Sequence, residues 1–205
     1  MSHATGGFYR ILQHPRLYGF LQTLAAPKNT RRIIADDYIE AARGARVVDI
    51  GCGPGSMLSY LGAVDYTGFD LNESYIAYAK EVFGGRGTFI QGHVSVVGDQ
   101  FNGSADIVIA IAVLHHLTDR EARDVFKTAY SILKPSGRLV TFDCVLTSPQ
   151  NPIARVAIRL DRGKCVRTAD GYLALAKEYF GEVKVDIRTD LLRIPYTHCI
   201  MTCRK

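Results

Sequence analysis

No apolar run in these 205 residues reaches the roughly 18–20 needed to cross a bilayer as a helix. The first residues also lack the basic and apolar regions of a signal peptide. The expectation is a cytoplasmic chain without a membrane span. No Cys-x-x-Cys pair occurs among the five cysteines. Cys199 and Cys203 lie four apart, a spacing that makes a tight site only on a helix, and their segment alternates like a strand. An odd, scattered set reads as free thiols in a reducing compartment, and no metal is expected. No repeat, low-complexity tract or linker interrupts the chain, so residues 1–205 read as one domain. No clustered basic face accompanies the net charge of +5. That charge suits an anionic small molecule, and no nucleic-acid partner is expected.

What is present is a chain 47% apolar, too rich in core-forming residues to be disordered. The stretch Val47-Val48-Asp49-Ile50-Gly51-Cys52-Gly53-Pro54-Gly55 organises it. A buried-type strand runs into a turn with three glycines at spacing two, and Ser56 to Leu61 reads as the start of a helix. Such a turn lets backbone approach a ligand closely and presents free N–H groups at a helix N-terminus. Upstream, residues 1–29 read as an N-terminal arm. Thr30 is placed to cap a helix through about Ala42, ended by Gly44. Downstream, Tyr66 to Asp70 is a second strand. Asn72 caps a helix to Phe83, and Thr88 to Gln91 is a third strand, with Gly92-His93 at its end. Asp106 to Val113 has no polar member after the first, as expected of a central parallel strand buried on both faces. Thr118-x-x-Glu121 is a capping box that opens a helix to about Leu133. Pro135-Ser136-Gly137 turns the chain into a fifth strand, Arg138 to Cys144. After residues 147–168, which carry Arg155, Arg159, Arg162, Lys164 and Arg167, come a helix (about 169–180) and two strands, Val183–Arg188 and Tyr196–Cys203. This is an α/β pattern, a doubly wound sheet whose last pair is antiparallel.

The glycine turn resembles motif I of the class I S-adenosylmethionine-dependent methyltransferases. The likeness extends through Asp70, Leu114-His115-His116-Leu117 and Leu133-Lys134-Pro135-Ser136-Gly137-Arg138-Leu139, and more weakly to the last two strands. It implies a Rossmann-like seven-stranded sheet in the order 3-2-1-4-5-7-6 with strand 7 antiparallel, and S-adenosylmethionine as cofactor. It also implies that Gly51, Cys52 (through its backbone) and Gly53 bind the cofactor. Asp70 would accept hydrogen bonds from both ribose hydroxyls, and Leu71 would flank the adenine. The carbonyls near Ala110 and Ile111 would hold the cofactor, and Gly92-His93-Val94 stands where many relatives place an adenine-binding Asp. Asp49 either orients the loop or the cofactor's ammonium group, or braces the loop without touching ligand. The stretch Leu160-Asp161-Arg162-Gly163 with Arg193 to His198 looks similar to bacterial methyltransferases found with surface-polysaccharide biosynthesis. No Asn-Pro-Pro-Tyr motif follows strand four, which favours a small-molecule acceptor.

Methyl transfer from a sulfonium is an in-line displacement, so the protein aligns and desolvates the acceptor and, for a hydroxyl, takes its proton. His115 and His116 sit where the acceptor would arrive. His115 is the candidate general base and His116 is read as structural, bracing of the loop being the other reading of both. His14 and His198 are lesser candidates. Asp143 ends strand five on the same edge and either braces or acts. Tyr9 and Tyr18 either close over the cofactor or join the core. Arg155, Arg159 and Arg162 fit one helix face and either recognise an anionic group or stay solvated, and residues 147–168 are a candidate acceptor-site insertion. Two competitors stand beside an O- or N-methyltransferase of a small, anionic or sugar-like acceptor. One is an NAD(P)-dependent oxidoreductase, which the third glycine's position and the terminal antiparallel pair disfavour. The other is a non-catalytic S-adenosylmethionine-binding protein.

Overall fold

The computed structural model describes residues 29–93, 101–160 and 163–205. Val94, the arm through residue 28 with Tyr9, His14 and Tyr18, and Asp161-Arg162 lie outside them. Seven strands form one sheet: β1 Arg46–Ile50, β2 Asp65–Asp70, β3 Thr88–Gln91, β4 Ala105–Ile111, β5 Leu133–Cys144, β6 Glu182–Arg188 and β7 His198–Arg204. Their order is β3-β2-β1-β4-β5-β7-β6, as expected. β1 to β5 pair in parallel, and β7 runs antiparallel to both β5 and β6.

Side-chain alternation along the strands assigns the helices to two faces. Val48, Ile50, Val108, Ala110 and Leu139 pack on one face with α3 (Asp119–Ile132) and α5 (Ala169–Lys177). Val47, Ile107, Ile109, Val140 and Ile200 pack on the other face with α1 (Thr30–Ile33) and α2 (Glu73–Phe83). The unbroken apolar run in β4 follows from this, since both its faces are covered. A small cluster of Cys144, Ile158 and Tyr196 seats α4 (Pro152–Leu160) near the end of β5. The strand order reverses between β1 and β4, so the crevice beyond their carboxyl ends is the place where a doubly wound sheet takes a ligand.

Four local expectations need correction. The glycine turn leads into a single 3-10 turn, Ser56–Ser59, rather than an α-helix. Gly55 in the left-handed region (φ 75°) closes the chain too tightly for an α-helical start. Thr30 does not cap α1; it lies inside it, buried, and its hydroxyl donates to the Leu191 carbonyl. That helix continues as a π-helical turn, Ile34–Ile39, and stops at Glu40 (φ 44°), before Gly44. The freed Ile39 and Glu40 carbonyls accept from the Arg138 guanidinium, which offsets the lost helical bonds. β4 ends at Ile111 because Ala112 turns to φ 60°, with its N–H donating to the Phe142 carbonyl at 2.7 Å. β5 starts five residues early, at Leu133, and a register shift between Ala105 and Ile107 takes up the Pro135 that the sequence placed in a turn. The Asn72 cap and the Thr118–Glu121 capping box form as expected.

Candidate active site

The glycine turn is held by β2. Gly51 and Cys52 both donate their N–H to the Phe69 carbonyl (2.8 and 2.9 Å), and Gly53 donates to Asp70 Oδ2 at 2.8 Å. The donors that the sequence assigned to a ligand are therefore engaged inside the fold, because β2 ends directly beneath the turn. The turn contributes shape instead. Gly51 has φ 73°, and a Cβ there would lie 2.6 Å from Val113 Cγ2, so the β4 exit packs where a side chain would be. Gly53 has φ 53°, and among the described residues nothing lies within 4 Å of where its Cβ would be. A turn with this many engaged N–H groups and no α-helix behind it is poorly suited to a pyrophosphate, which counts against the dinucleotide reading.

Asp70 ends β2 half-buried. Its two oxygens each accept one backbone N–H, from Asn72 (2.8 Å) and Gly53. A carboxylate has about four lone-pair sites, so acceptor capacity for two hydroxyls remains. Leu71, next in the chain, is 68% exposed, the most exposed large apolar side chain among the described residues. A planar apolar group laid on it removes that surface from water. Gly92 (φ 147°) donates its N–H to the Asp70 carbonyl at 3.0 Å, and among the described residues nothing lies within 4 Å of where its Cβ would be. His93 is half-buried beside it.

Asp49 is 2% exposed in β1. Tyr66, on the adjacent strand, donates its hydroxyl to Asp49 Oδ2 at 2.6 Å, while Oδ1 is buried and has no partner among the described residues. Burial pushes the carboxyl up to about 7, against the pull of the Tyr66 hydrogen bond, and Asp70 adds like-charge repulsion. The Cys52 thiol, buried beside Asp49 and Asp70, is pushed up by the same desolvation and stays neutral. A buried orphan carboxylate oxygen at a ligand crevice fits an ammonium group. Two carboxylates, Asp49 and Asp70, beside the exposed Leu71 suit a cationic nucleoside without phosphate, the chemistry of S-adenosylmethionine. Ala110 is fully buried and Ile111 half-buried at the β4 end.

The acceptor side lies at the ends of β4 and β5. A 3-10 turn, Leu114–His116, buries His115 and leaves His116 exposed, with their rings 4.1 Å apart. Asp143 Oδ1 lies 2.8 Å from His115 Nδ1 and accepts the His115 backbone N–H at 3.1 Å, while its Oδ2 has no partner among the described residues. The parallel register that pairs Ile111 with Phe142 brings this about, since it sets the exits of β4 and β5 side by side. That register was the signal in the sequence that could have joined the two residues. His198, opposite Cys144 on β7, is buried and stacks on Phe142 at 4.5 Å. Phe142 and Asp143 alternate along β5, so His198 and His115 lie on opposite faces. Arg155 and Arg159 are exposed on α4. Two residues passed over in the sequence matter here: Tyr66, which holds Asp49, and Arg167, whose side chain reaches the histidine turn.

Residues 47–137 match a family model described as a methyltransferase domain. No curated protein sequence matches the chain. A protein from Pyrococcus horikoshii shares its fold with TM-score 0.71 at 19% identity, over 98% of this chain and 100% of that one. A TehB-like SAM-dependent methyltransferase from Corynebacterium glutamicum gives 0.67 at 18% identity, over 97% and 100%. Human N-acetylserotonin methyltransferase, solved with SAM, gives 0.68 at 17%, over 99% of this chain but 60% of its own. Residues 47–137, which span the glycine turn, Asp70 and the histidine turn, thus match a methyltransferase domain, and the sheet order around them is the one the resemblance to class I S-adenosylmethionine-dependent methyltransferases implies.

Proposed function

We propose that this methyltransferase modifies a small acceptor at an oxygen or nitrogen atom, and that a hydroxyl suits it best. The His115–Asp143 pair carries this reading. With Nδ1–H donating to Asp143, the tautomer is set and Nε2 keeps its lone pair, so His115 can take the hydroxyl proton as the oxygen attacks. Asp143 then faces an imidazolium and lowers its cost. S-adenosylmethionine brings a methyl group already bonded to a positive sulfur, so the chain supplies no electrophile of its own. Asp70 and Leu71 hold the nucleoside end, Asp49 receives the ammonium, and the turn at Gly51–Gly53 admits the cofactor's backbone.

The anionic or sugar-like character of the acceptor rests on Arg155 and Arg159, four apart on α4 within the insertion 147–168. The five free thiols and the lack, among the described residues, of a helix long and apolar enough to cross a membrane fit a cytoplasmic enzyme.

The test is release of S-adenosylhomocysteine with a panel of phenols, sugars, hydroxy acids and amines, in wild type and His115→Gln. The variant should turn over about 10²-fold more slowly, with S-adenosylhomocysteine affinity held within about twofold. Wild-type turnover in His115→Gln removes the histidine from the role.

A further inference from the structure

The turn that carries His115 is closed by two short-range backbone bonds, His116 N–H to the Val113 carbonyl (3.1 Å) and Leu117 N–H to the Leu114 carbonyl (3.2 Å). Arg167, from the segment between α4 and α5, ties that turn to the rest of the acceptor side. Its Nη1 donates to the Leu114 carbonyl at 2.9 Å and its Nη2 to the Leu117 carbonyl at 2.7 Å, so one guanidinium grips both ends of the turn. Nε and Nη2 also donate to Asp119 Oδ1 (2.9 and 2.7 Å), at the first residue of α3, and Nη1 donates to the Cys165 carbonyl at 3.0 Å. A guanidinium has five N–H donors in a rigid plane, and these five bonds use all of them. The side chain is 10% exposed, and its plane lies over the Tyr172 ring at 5.6 Å. The Tyr172 hydroxyl donates to the carbonyl of Cys144, the neighbour of Asp143.

Backbone bonds complete the frame. Cys165 N–H donates to the His115 carbonyl and Leu146 N–H to the Arg167 carbonyl, both at 3.0 Å. Gly163 sits so close that a Cβ there would lie 2.4 Å from His115 Cδ2. The 163–168 segment is thus pressed onto the imidazole edge next to Nε2, with Arg167 as the fastener. A lysine cannot replace it, because three donors on a flexible stem cannot span two carbonyls and a carboxylate in one plane.

We propose that Arg167 is the positioning residue of the acceptor side: it locks the Leu114–Leu117 turn to the 163–168 segment and so keeps His115 on Asp143. The proposal rests on the reading of His115 as base, but its test does not need the acceptor. Histidine 15N and 1H spectra report the His115 Nδ1–H held by Asp143, with His115→Gln assigning the signal and Asp143→Asn removing it. In Arg167→Lys the signal should broaden or vanish and the tautomer populations mix, while S-adenosylhomocysteine affinity stays within about twofold of wild type. Arg167→Gln serves as a second variant if the lysine form is unstable. A wild-type His115 signal in a folded Arg167 variant overturns the proposal, because an arginine that merely ties down α3 would give that result. So does a loss of S-adenosylhomocysteine binding of about tenfold or more in parallel with the signal, which would mark collapse of the whole crevice. If instead His115→Gln turns over like wild type, the general-base reading falls on its own and the spectra still decide what Arg167 holds.

Discussion

Asp49 shows how one residue's environment turns a common motif into a measurable property. Its carboxyl is ordinary in the unfolded chain, at 3.8, and about 7 in the fold, because burial outweighs the Tyr66 hydrogen bond. The native state therefore holds the proton more tightly than the unfolded state between those values. Stability of the ligand-free protein falls as pH rises from about 4 to 7, by no more than about 1.4 kcal/mol per pH unit for one proton. Urea midpoints measured at pH 5 and 7.5 should show that slope, and Asp49→Asn should reduce it. An ammonium partner favours the ionised form, so S-adenosylhomocysteine binding should release up to one proton at pH 6 and almost none at pH 8.5. Calorimetry in two buffers of different ionisation enthalpy reads this directly. Equal, buffer-independent heats at pH 6 would return Asp49 to a bracing role. In the sequence the residue was visible but its state was not, since Tyr66 and the absence of a partner for Oδ1 are three-dimensional facts.

At the scale of elements, periodicity and caps carried most of the fold. The apolar run of β4, the Asn72 and Thr118 caps and the existence of two last strands were legible, because each is a local pattern with a local physical cause; β7 starts at His198 and does not alternate, being buried at nearly every position between β5 and β6. The misses came where a distant group supplies what the local pattern lacks. Arg138 satisfies the end of the first helix, and β2 takes the N–H groups of the glycine turn. Arg167 and Asp143, 24 residues apart in sequence, build the acceptor side around His115. The contact between the β1 turn and the β4 exit is of this kind too. A Gly51→Ala variant must place a Cβ at φ 73° and 2.6 Å from Val113 Cγ2. Strain and crowding together should cost about 1–3 kcal/mol of stability. S-adenosylhomocysteine affinity should fall with it, because Val113 can move only toward the crevice or the β4 exit. The double variant Gly51→Ala with Val113→Ala should recover part of the lost stability in urea titrations. No recovery would mean that the backbone angle, rather than the contact with Val113, sets the cost.

For the whole molecule, the sheet divides the work. Its two faces are packed with helices and contribute stability, while the carboxyl edge carries Asp49, Asp70, Leu71, His115 and Asp143 from four separate strand ends or exits. Such an edge is held in register by the core but leaves exposed apolar surface, as at Leu71, and a carboxylate oxygen without a partner among the described residues, as at Asp49. Both are unfavourable without ligand, so binding should stabilise the fold as a unit. At a concentration about 100 times Kd, a ligand that binds only the native state adds about 2.7 kcal/mol. For a chain of this size that corresponds to a rise of roughly 5–10 °C in Tm. S-adenosylhomocysteine and S-adenosylmethionine should both produce such a shift by calorimetric scanning, and NADH and NADPH should not, since the glycine turn has little to offer a pyrophosphate. A nicotinamide-nucleotide shift of the same size would revive the oxidoreductase reading. Asp70→Ala removes the ribose acceptor and the Gly53 and Asn72 anchors together, and should lose most of the ligand-induced shift. Asp106→Ala, at the opposite edge and bonded to Lys134, should keep it. That contrast would place cofactor binding at the carboxyl edge of the sheet, because both variants lose a carboxylate and only one of the two lies at the crevice.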